Sequence, residues 1–589
     1  METNKPANVK SSPVQKDYLR GWSTNDTQVE STIPEHKFEL YDVLESRRMD
    51  SVREEMRKIS KSREPRVSKS PEAAKSTAIV KKKIPRKDVI LVTEKNCRGE
   101  FGLFRHFFET GEWEKSMNHE KCFFNYFALD RGESFECATF QWTNRLPGIG
   151  KLSAKTETFD ILNKFRRWHP ELYNFYPRTF ILPGQEEAYI KYHKKNKSKT
   201  FVSKITTGSQ GYGIRILKSP RDLAGPTGRQ DLDDKIVQEY IHKPFLLGNK
   251  KHDLRIYVTI VSVNPLVAFI NTEGLARFCT ADYEEPTASN KNNENVHFTN
   301  YSLNKHSDDY NFTEDCTGIH DGSKRSLTSY WKQLEQEFGV KKDSIWDDIK
   351  SQCAGILKAF KPWIQYHALC EWGERKEGQK SPKAFHILGF DVIFDSKMKP
   401  WLLESNGNPS LNIHFEPDEY KQRKREESIV SPIDMFVKSQ VLGDVVMMVK
   451  KHKIRYIREE LDEFKSYEKI FDESIEDSDY GECTEYDSLL EMFVYLGGYK
   501  FFPSLTMTKF GKLAPWFKGV GTKEVQRIDC DVSWKKIQQI GGVMTFDGFV
   551  WSILDLTRRC IGDPVPEDSN VQDALVEVIS NFENEKDKK

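Results

Sequence analysis

The sequence predicts a mixed α+β or α/β core rich in antiparallel sheet, followed by a mainly helical C-terminal region. Three observations carry this. Between residues 89 and 455, short β-branched and aromatic runs alternate with amphipathic helical stretches. The clearest of these runs face each other across a short turn, as the strands of a hairpin do. From residue 486 onward the remaining apolar patterns are helical. At 589 residues and 37% apolar content, the chain has length for roughly two to four domains and enough apolar side chains for real cores.

Residues 1–88 are polar, rich in Lys, Arg, Ser and Glu, and close on KSREPRVSKS and KKKIPRK. That composition predicts a disordered basic tail, read either as a solvated linker or as an arm for an acidic polymer. Order begins at VILVTEKNC, a buried-strand pattern. Further strands are expected at TFVSKI, KIVQEYI, LRIYVTIV, LVAFIN, FHILGFDVIF and PWLLE, where β-formers cluster. Helices are expected at TFDILNKFRRWHP, GQEEAYIKYHKKN, TSYWKQLEQEF and SIWDDIKSQCAGILKAFKPW, whose apolar residues recur every three or four places. A charged insertion at 412–430 contains EYKQRKREES and precedes a helix, IDMFVKSQVLGDVVMMVKKHK. Residues 456–485, with FDESIEDSDYGE, read as an acidic linker. Residues 486–589 read as a helical domain through SLLEMFVYLGG, KEVQRIDCDVSWKKIQQI and TFDGFVWSILDLTRRC.

Composition excludes several function classes. The net charge is +1, so no global field points to nucleic acid. The longest apolar run, RIYVTIVSVNPLVAFI, is too short to cross a membrane and carries Arg, Asn and Pro. METNKPANVKSSPVQKD has no apolar stretch of the secretory kind. The ten cysteines are scattered, with no CxxC and no Cys/His cluster, which points to free thiols in a reducing compartment and away from zinc.

The most informative stretch is Phe385–Leu411, FHILGFDVIFDSKMKPWLLESNGNPSL. Two apolar runs flank the turn DSKMK, a hairpin pattern. Asp391 sits within the first strand, Glu404 closes the second, and Asn406 shares the Glu404 face if the strand continues. Two carboxylates and an amide oxygen aimed at one spot form an oxygen cage for Mg²⁺, which in such cages holds nucleotide phosphates. Two solvated acids on strand ends are the alternative.

Its first companion is FVSKITTGSQGYGIRIL, a strand bearing Lys204, a loop with Gly208, Gln210, Gly211 and Gly213, and a second strand. Glycines let backbone N–H groups close over phosphate oxygens, and Lys204 can pair with them. No Gly-Lys-Ser/Thr opens a helix, so this is not a Walker A loop, and a strand rather than a helix follows, so it is not a Rossmann turn. A strand–loop–strand flap fits the ATP-grasp type. Next, KIVQEYI ends at Gln238, Glu239, Tyr240 and Ile241, where a chain crossing between lobes can offer backbone groups to a base. Lys251, Asp253 and Arg255 then share one strand face. Arg255 there can stabilise developing negative charge, or the three can form a surface salt-bridge cluster. NTEGLARFCTADY carries Arg277, and NVHFTNYSLNKH carries His297, Thr299, Asn300, Ser302 and Lys305 in a loop dense in short polar side chains.

The ordered series Lys204 with SQGYGI, QEYI, KHDLRIYV, EGLARF, HFTNYSLNK, GSKRSL, LGFDV and PWLLESNGNPSL closely resembles the tubulin–tyrosine ligase-like family. Upstream, WTNRLPGIGKLSAK and FYPRTFILP match its pattern too, so the resemblance covers roughly residues 90–450. It implies an ATP-grasp-type ligase core at 89–455 that adds an amino acid to protein tails through an acyl phosphate. Family positions assign Lys204, Gln210, Gly211, Gln238, Glu239, Tyr240, Ile241, Lys251, Asp253, Thr299 and Asn300 to ATP. They assign Asp391, Glu404 and Asn406 to magnesium, and Arg277, Ser302, Lys324 and Lys438 to the incoming amino acid. Arg255 and Lys204 would be catalytic, with Arg255 steadying the transferring phosphoryl or the acyl phosphate.

Two departures remove no ligand: Ile205 stands where the family usually has Pro, and the metal segment reads ESN rather than EVN. Gly407 stands where a side chain often faces the acceptor, which leaves initiation against elongation open. The insertion and the NGNPS turn resemble the chain-elongating polyglutamylating branch. That branch implies microtubules, through acidic tubulin tails, and free L-glutamate as partners. Lys421, Arg423, Lys424 and Arg425 are then its candidate microtubule-binding residues. A monomer at the cytoplasmic cytoskeleton is expected, with cilium or basal body as the finer address. The rival readings are a glycine or tyrosine ligase and an inactive microtubule-binding scaffold.

In the C-terminal region, IDCDVSWKKI superficially suggests an EF-hand. Its loop would lack Gly at the sixth place and carry Ile540 at the twelfth, so calcium is not expected. LTMTKFGKLAPWF, VQRIDCDVSWKKI and MTFDGFVWSILDL are similar, more loosely, to a p25-alpha module, with a plain helical packing domain as the alternative.

Overall fold

The computed structural model describes residues 90–588 apart from 94–99, 112, 129–139, 207, 209–210, 225–233, 374–382, 416–428, 452–465, 474–479, 498–503, 540–543 and 563–565. The basic tail and the cluster Lys421, Arg423, Lys424 and Arg425 therefore lie outside the described residues, as does Gln210.

Three sheets organise the core. A small parallel sheet has the order β13 (Lys383–Ala384), β4 (Trp142–Thr143), β3 (Phe124–Asn125), β1 (Ile90–Thr93), β2 (Trp113–Lys115). An antiparallel sheet has the order β5 (Thr179–Leu182), β8 (Lys235–Glu239), β6 (Phe201–Ile205), β7 (Arg215–Leu217). The central antiparallel sheet runs β12 (Lys324–Ser326), β11 (Leu266–Phe278), β10 (Lys250–Val263), β14 (His386–Phe394), β15 (Pro400–Asn406). β9 (Leu246–Leu247) pairs with β10 and β18 (Tyr467–Asp472) with β11. A short ribbon joins β16 (His414–Phe415) to β17 (Ile429–Val430). Mixed α+β architecture is thus observed, with each expected strand present.

Alternation along β10 explains how the central sheet holds a site. Leu254, Ile256, Val258 and Ile260 point to one face and pack under the helix Asp343–Gly373. On the other face Tyr257 and Val261 pack under the helix Pro432–Lys451, while Lys251, Asp253 and Arg255 continue the same row beyond it. One face therefore changes from core to site along a single strand.

Two expectations are corrected here. The helix read as ending near Trp363 runs to Gly373 through Pro362. Its residues on both sides of the proline are buried, so packing holds the helix where one backbone bond is missing. The stretch read as linker contains β18, which adds a strand to the central sheet, and Tyr480, Cys483, Glu485 and Tyr486 are buried. One continuous apolar core joins the helices Glu485–Gly497, Phe546–Ile561 and Asp568–Asp587 to the helix Asp343–Gly373. The segment from Asp529 lies within the helix Arg527–Gln539, so it does not form a calcium loop.

Candidate active site

The hairpin β14–β15 turns at Asp395, whose Oδ1 accepts from the backbone N–H of Lys397 at 2.8 Å and of Lys399 at 3.1 Å, while Met398 takes φ +63°. Asp391 lies directly across from Glu404. Between that pair and Val392 opposite Leu402, one extra residue, Leu403, bulges out of the ladder. The bulge does two things. It brings both carboxylates to the same face, and Leu403 O, beside it, accepts from Lys204 Nζ at 3.0 Å. Asn406 follows on that face, and its Nδ2 donates to Glu404 Oε1 at 3.3 Å.

The register of the central sheet extends this face sideways. Arg255 stands opposite Asp391, Asp253 opposite Arg277, and Arg277 opposite Lys324. Arg255 bonds Asp391 through Nε at 2.5 Å and Nη2 at 3.1 Å. Arg277 holds Asp253 at 2.8 and 2.7 Å and reaches Asp391 at 2.8 Å. Burial alone would raise the Asp391 pKa, but the two guanidiniums hold it well below the usual carboxylate range. Gly389 allows this packing: a Cβ there would meet Arg255 Cδ and Pro409 Cβ at 3.0 Å.

Above this face lies the second antiparallel sheet. Its β6–β7 loop turns through Gly211 (φ +85°) and Gly213 (φ +74°), conformations that favour glycine. Lys204, on β6, is buried and donates to Gln238 Oε1 at 2.9 Å, and burial is the main cause of its lowered pKa. Between the sheets lies an open cleft that encloses about 630 Å³, the solvent at its mouth included. Its walls include Val202 and Ile214 from one sheet and Ile393 and Leu403 from the other, an apolar slot suited to a planar base. Its polar lining includes Lys204, Gln238, Lys251, Asp253, Thr299, Asn300, Asp391 and Glu404. Glu239, Tyr240 and Ile241 line it too, with the amides of Glu239 and Tyr240 already bonded to Arg178 O and Thr200 O. Lys251 Nζ donates to Tyr240 OH at 2.9 Å and His297 O at 2.8 Å, and burial brings its pKa down to about 8. Thr299 Oγ1 donates to Asp253 Oδ2 at 2.5 Å.

Arg277 leads to a second group of cations. Lys324 Nζ lies 2.7 Å from Asp434 Oδ2, and Lys438 Nζ 2.8 Å from Asp434 Oδ1. Ser302 lies on the short helix Tyr301–Asn304, and the Tyr301 ring is 3.9 Å from the Lys324 ammonium. The stretch expected as a loop thus contains two single helical turns, Glu294–His297 and Tyr301–Asn304.

Sequence reasoning missed two residues. Lys155, at the end of WTNRLPGIGKLSAK, donates to Gly208 O in the flap at 2.6 Å and lies 3.9 Å from Glu404. Asp434 lies four residues before Lys438, the spacing of an ion pair on a helix, which was its legible signal. Gly407 is fixed by packing: a Cβ there would lie 2.9 Å from Ser153 Cβ and Oγ.

The tubulin-tyrosine ligase family matches residues 134–424, a span that stops short of Lys438 and the C-terminal helices. The tubulin polyglutamylase ttll6 of Danio rerio is 35% identical over 303 residues, covering 51% of this chain and 36% of that protein. The tubulin polyglutamylase TTLL7 of Xenopus tropicalis is 37% identical over 290 residues, covering 48% and 30%. A probable beta-tubulin polyglutamylase of Tetrahymena thermophila is 31% identical over 377 residues, covering 62% and 31%. The chain therefore spans about a third of the length of these relatives. The stretch 134–424, which carries the cleft, the hairpin and the arginine pair, is thus a domain of the tubulin-tyrosine ligase family.

Proposed function

We propose that this chain is an ATP-dependent ligase that adds glutamate to glutamate side chains, or to growing glutamate chains, on tubulin C-terminal tails, with elongation as its main activity. One observation supports this above the rest: the cleft brings Lys204 from one sheet to Asp391 and Glu404 on the other, with Arg255 and Arg277 bonded to Asp391 beside them. A carboxylate is a poor electrophile until it is phosphorylated, and such a transfer needs cations gathered around several anions. The named relatives are tubulin polyglutamylases, which favours glutamate over glycine or tyrosine.

In this reading the acceptor carboxylate takes the γ-phosphoryl group of ATP, giving an acyl phosphate and ADP. The amine of the incoming amino acid then attacks the acyl carbon, phosphate leaves, and the amine gives up a proton. The base of ATP would fill the slot between Val202, Ile214, Ile393 and Leu403. Lys204 would hold phosphate oxygens, and Arg255 would face the transferring group. Asp391, Glu404 and the Asn406 amide oxygen fit a hard cation such as Mg²⁺. Among the described residues no group of three His, Cys, Asp or Glu could hold a metal, so phosphate and water oxygens would complete this shell. When bound, Mg²⁺ would neutralise phosphate charge during the transfer. Arg277, Ser302, Lys324 and Lys438 would hold the incoming glutamate. The partners would be microtubules and free glutamate, the active form a monomer, and the address the cytoskeleton, including cilium or basal body. Among the described residues no helix is long and apolar enough to cross a membrane.

The test is direct. The full chain is incubated with microtubules, Mg²⁺, ATP and each of glutamate, glycine and tyrosine, and the tubulin tails are weighed by mass spectrometry. Serial additions of glutamyl mass are expected. Glycyl additions alone would overturn the donor assignment, and no addition of any amino acid would favour the inactive scaffold.

A further inference from the structure

We propose that Asp434 is the positioning residue of the donor site, a single buried carboxylate that sets Lys324 and Lys438 side by side to receive the two carboxylates of a dicarboxylic amino acid. The proposal rests on the glutamate reading above and adds the residue that would make it selective.

Asp434 belongs to the first turn of the helix Pro432–Lys451, where the helix dipole favours an acid. Its backbone N–H donates to Ser431 Oγ at 3.3 Å, which fixes that turn. The carboxylate divides its oxygens: Oδ2 meets Lys324 from β12, and Oδ1 meets Lys438 one turn along the helix. Lys438 Nζ also donates to Asn412 O at 2.5 Å, just beyond the metal hairpin. An ammonium carries three N–H groups. Each lysine therefore keeps at least one N–H beyond those that Asp434 and Asn412 take.

Charge counting separates this from a simple strut. A strut between a helix and a sheet needs one lysine and one acid. Here two lysines share one acid, leaving a net positive charge in a buried place. The neighbouring acids Asp253 and Asp391 do not supply the balance, since they are already paired with Arg277 and Arg255. Without the carboxylate the two ammoniums would repel each other, and burial would drive a proton off one of them. Burial is already the largest influence on Lys324, lowering its pKa, and Asp434 is the main group opposing it. The remaining N–H donors on two cations match two carboxylates. Glutamate brings two and glycine one.

The test compares wild type with Asp434→Asn, Asp434→Glu, Lys438→Ala and the double variant Asp434→Asn/Lys438→Ala. Steady-state rates are measured on microtubules with glutamate and ATP varied separately, and melting temperatures confirm folding. Asp434→Asn should raise KM for glutamate about tenfold or more, as expected for breaking a buried pair, with KM for ATP within about twofold. Asp434→Glu should recover part of that loss. The double variant should lose less than the two single losses combined, because the acid acts in part through Lys438 and in part through Lys324. A fall in kcat with KM for glutamate unchanged would overturn the proposal. A lowered KM for glutamate would also overturn it, by showing that Asp434 competes with the donor. If Lys438→Ala leaves KM for glutamate unchanged, both this proposal and the placement of the donor site fail, while the ATP and metal assignments stand.

Discussion

Lys155 donates to the carbonyl of Gly208 at 2.6 Å with its ammonium 3.9 Å from the Glu404 carboxylate, so one side chain links the flap to the β14–β15 hairpin. It is the first residue of the helix Lys155–Trp168, which sets its position from below the flap. The link holds the loop over the cleft where the phosphates of ATP would lie. Lys155→Met should raise KM for ATP about tenfold, the size of one lost charge-assisted hydrogen bond, with KM for glutamate little changed. Nucleotide binding by calorimetry checks this without turnover. Equal affinity in the variant would leave Lys155 a structural contact only.

Glu404→Gln should abolish ligation while the protein stays folded. The amide keeps the shape of the side chain and loses the charge that a hard cation needs. The folded state loses little, because Glu404 is partly exposed and its nearest cation is the ammonium 3.9 Å away. Glutamylation at near the wild-type rate, with an unchanged melting temperature, would remove Glu404 from the metal set.

Arg277→Ala should act more widely than on the donor alone. The side chain bonds two buried acids, Asp253 and Asp391, the second shared with Arg255, and breaking such pairs costs about 3–5 kcal/mol. We expect a clearly lower melting temperature, together with raised KM values for glutamate and for ATP. A variant as stable as wild type, with only KM for glutamate raised, would mean that these ion pairs do not form in solution.

The same arginine shows what the sequence can and cannot reveal. The hairpin was legible because its two strands alternate and lie close together in the chain. The pairing of Arg277 with Asp253 and Asp391 was not, since it depends on the sheet order β11–β10–β14, in which β14 joins from more than a hundred residues away. The bulge at Leu403 was equally hidden: an extra residue in a ladder leaves no compositional trace, yet it decides that Glu404 faces Asp391. β18 was obscured by the acidic stretch that follows it, although its own YEKIFD packs on β11. Lys155 stood outside every motif built from phosphate chemistry, because only the folded flap brings Gly208 to it.

The cluster Lys421, Arg423, Lys424 and Arg425 is flanked by Glu416, Asp418, Glu419, Glu426 and Glu427. Any attraction to acidic tubulin tails must therefore come from the local run of cations rather than from the whole insertion. Neutralising the four together should weaken microtubule co-sedimentation and slow modification of microtubules, more so at low salt. Activity on a short soluble tail peptide should fall less, because a peptide gains little from a lattice-binding surface. Equal losses on both substrates would place the cluster in folding or catalysis instead.

The far end of the Lys155 helix carries a proton-linked joint to the C-terminal helices. His169, its C-cap, has Nε2 3.2 Å from both oxygens of Glu485, and Gln572 Nε2 donates to Glu485 Oε1 at 2.8 Å. Burial by itself would lower the His169 pKa, but bonding to Cys483 and to the Glu485 carboxylate raises it from 6.5 to about 10. A histidine whose pKa is raised on folding adds stability that is full below its unfolded value and lost as pH climbs through the folded one. The contribution of His169 should therefore be complete below about pH 6.5 and fade towards pH 10. Glu485 has a lowered pKa, so its share of the joint is lost in acid instead. Melting temperatures of wild type and His169→Asn, measured from pH 6 to above pH 10, check the linkage. The gap between them should be widest near pH 6 and close as pH rises. A gap that stays constant over the whole range would mean that His169 is neutral in the folded protein and that the joint is held by packing alone.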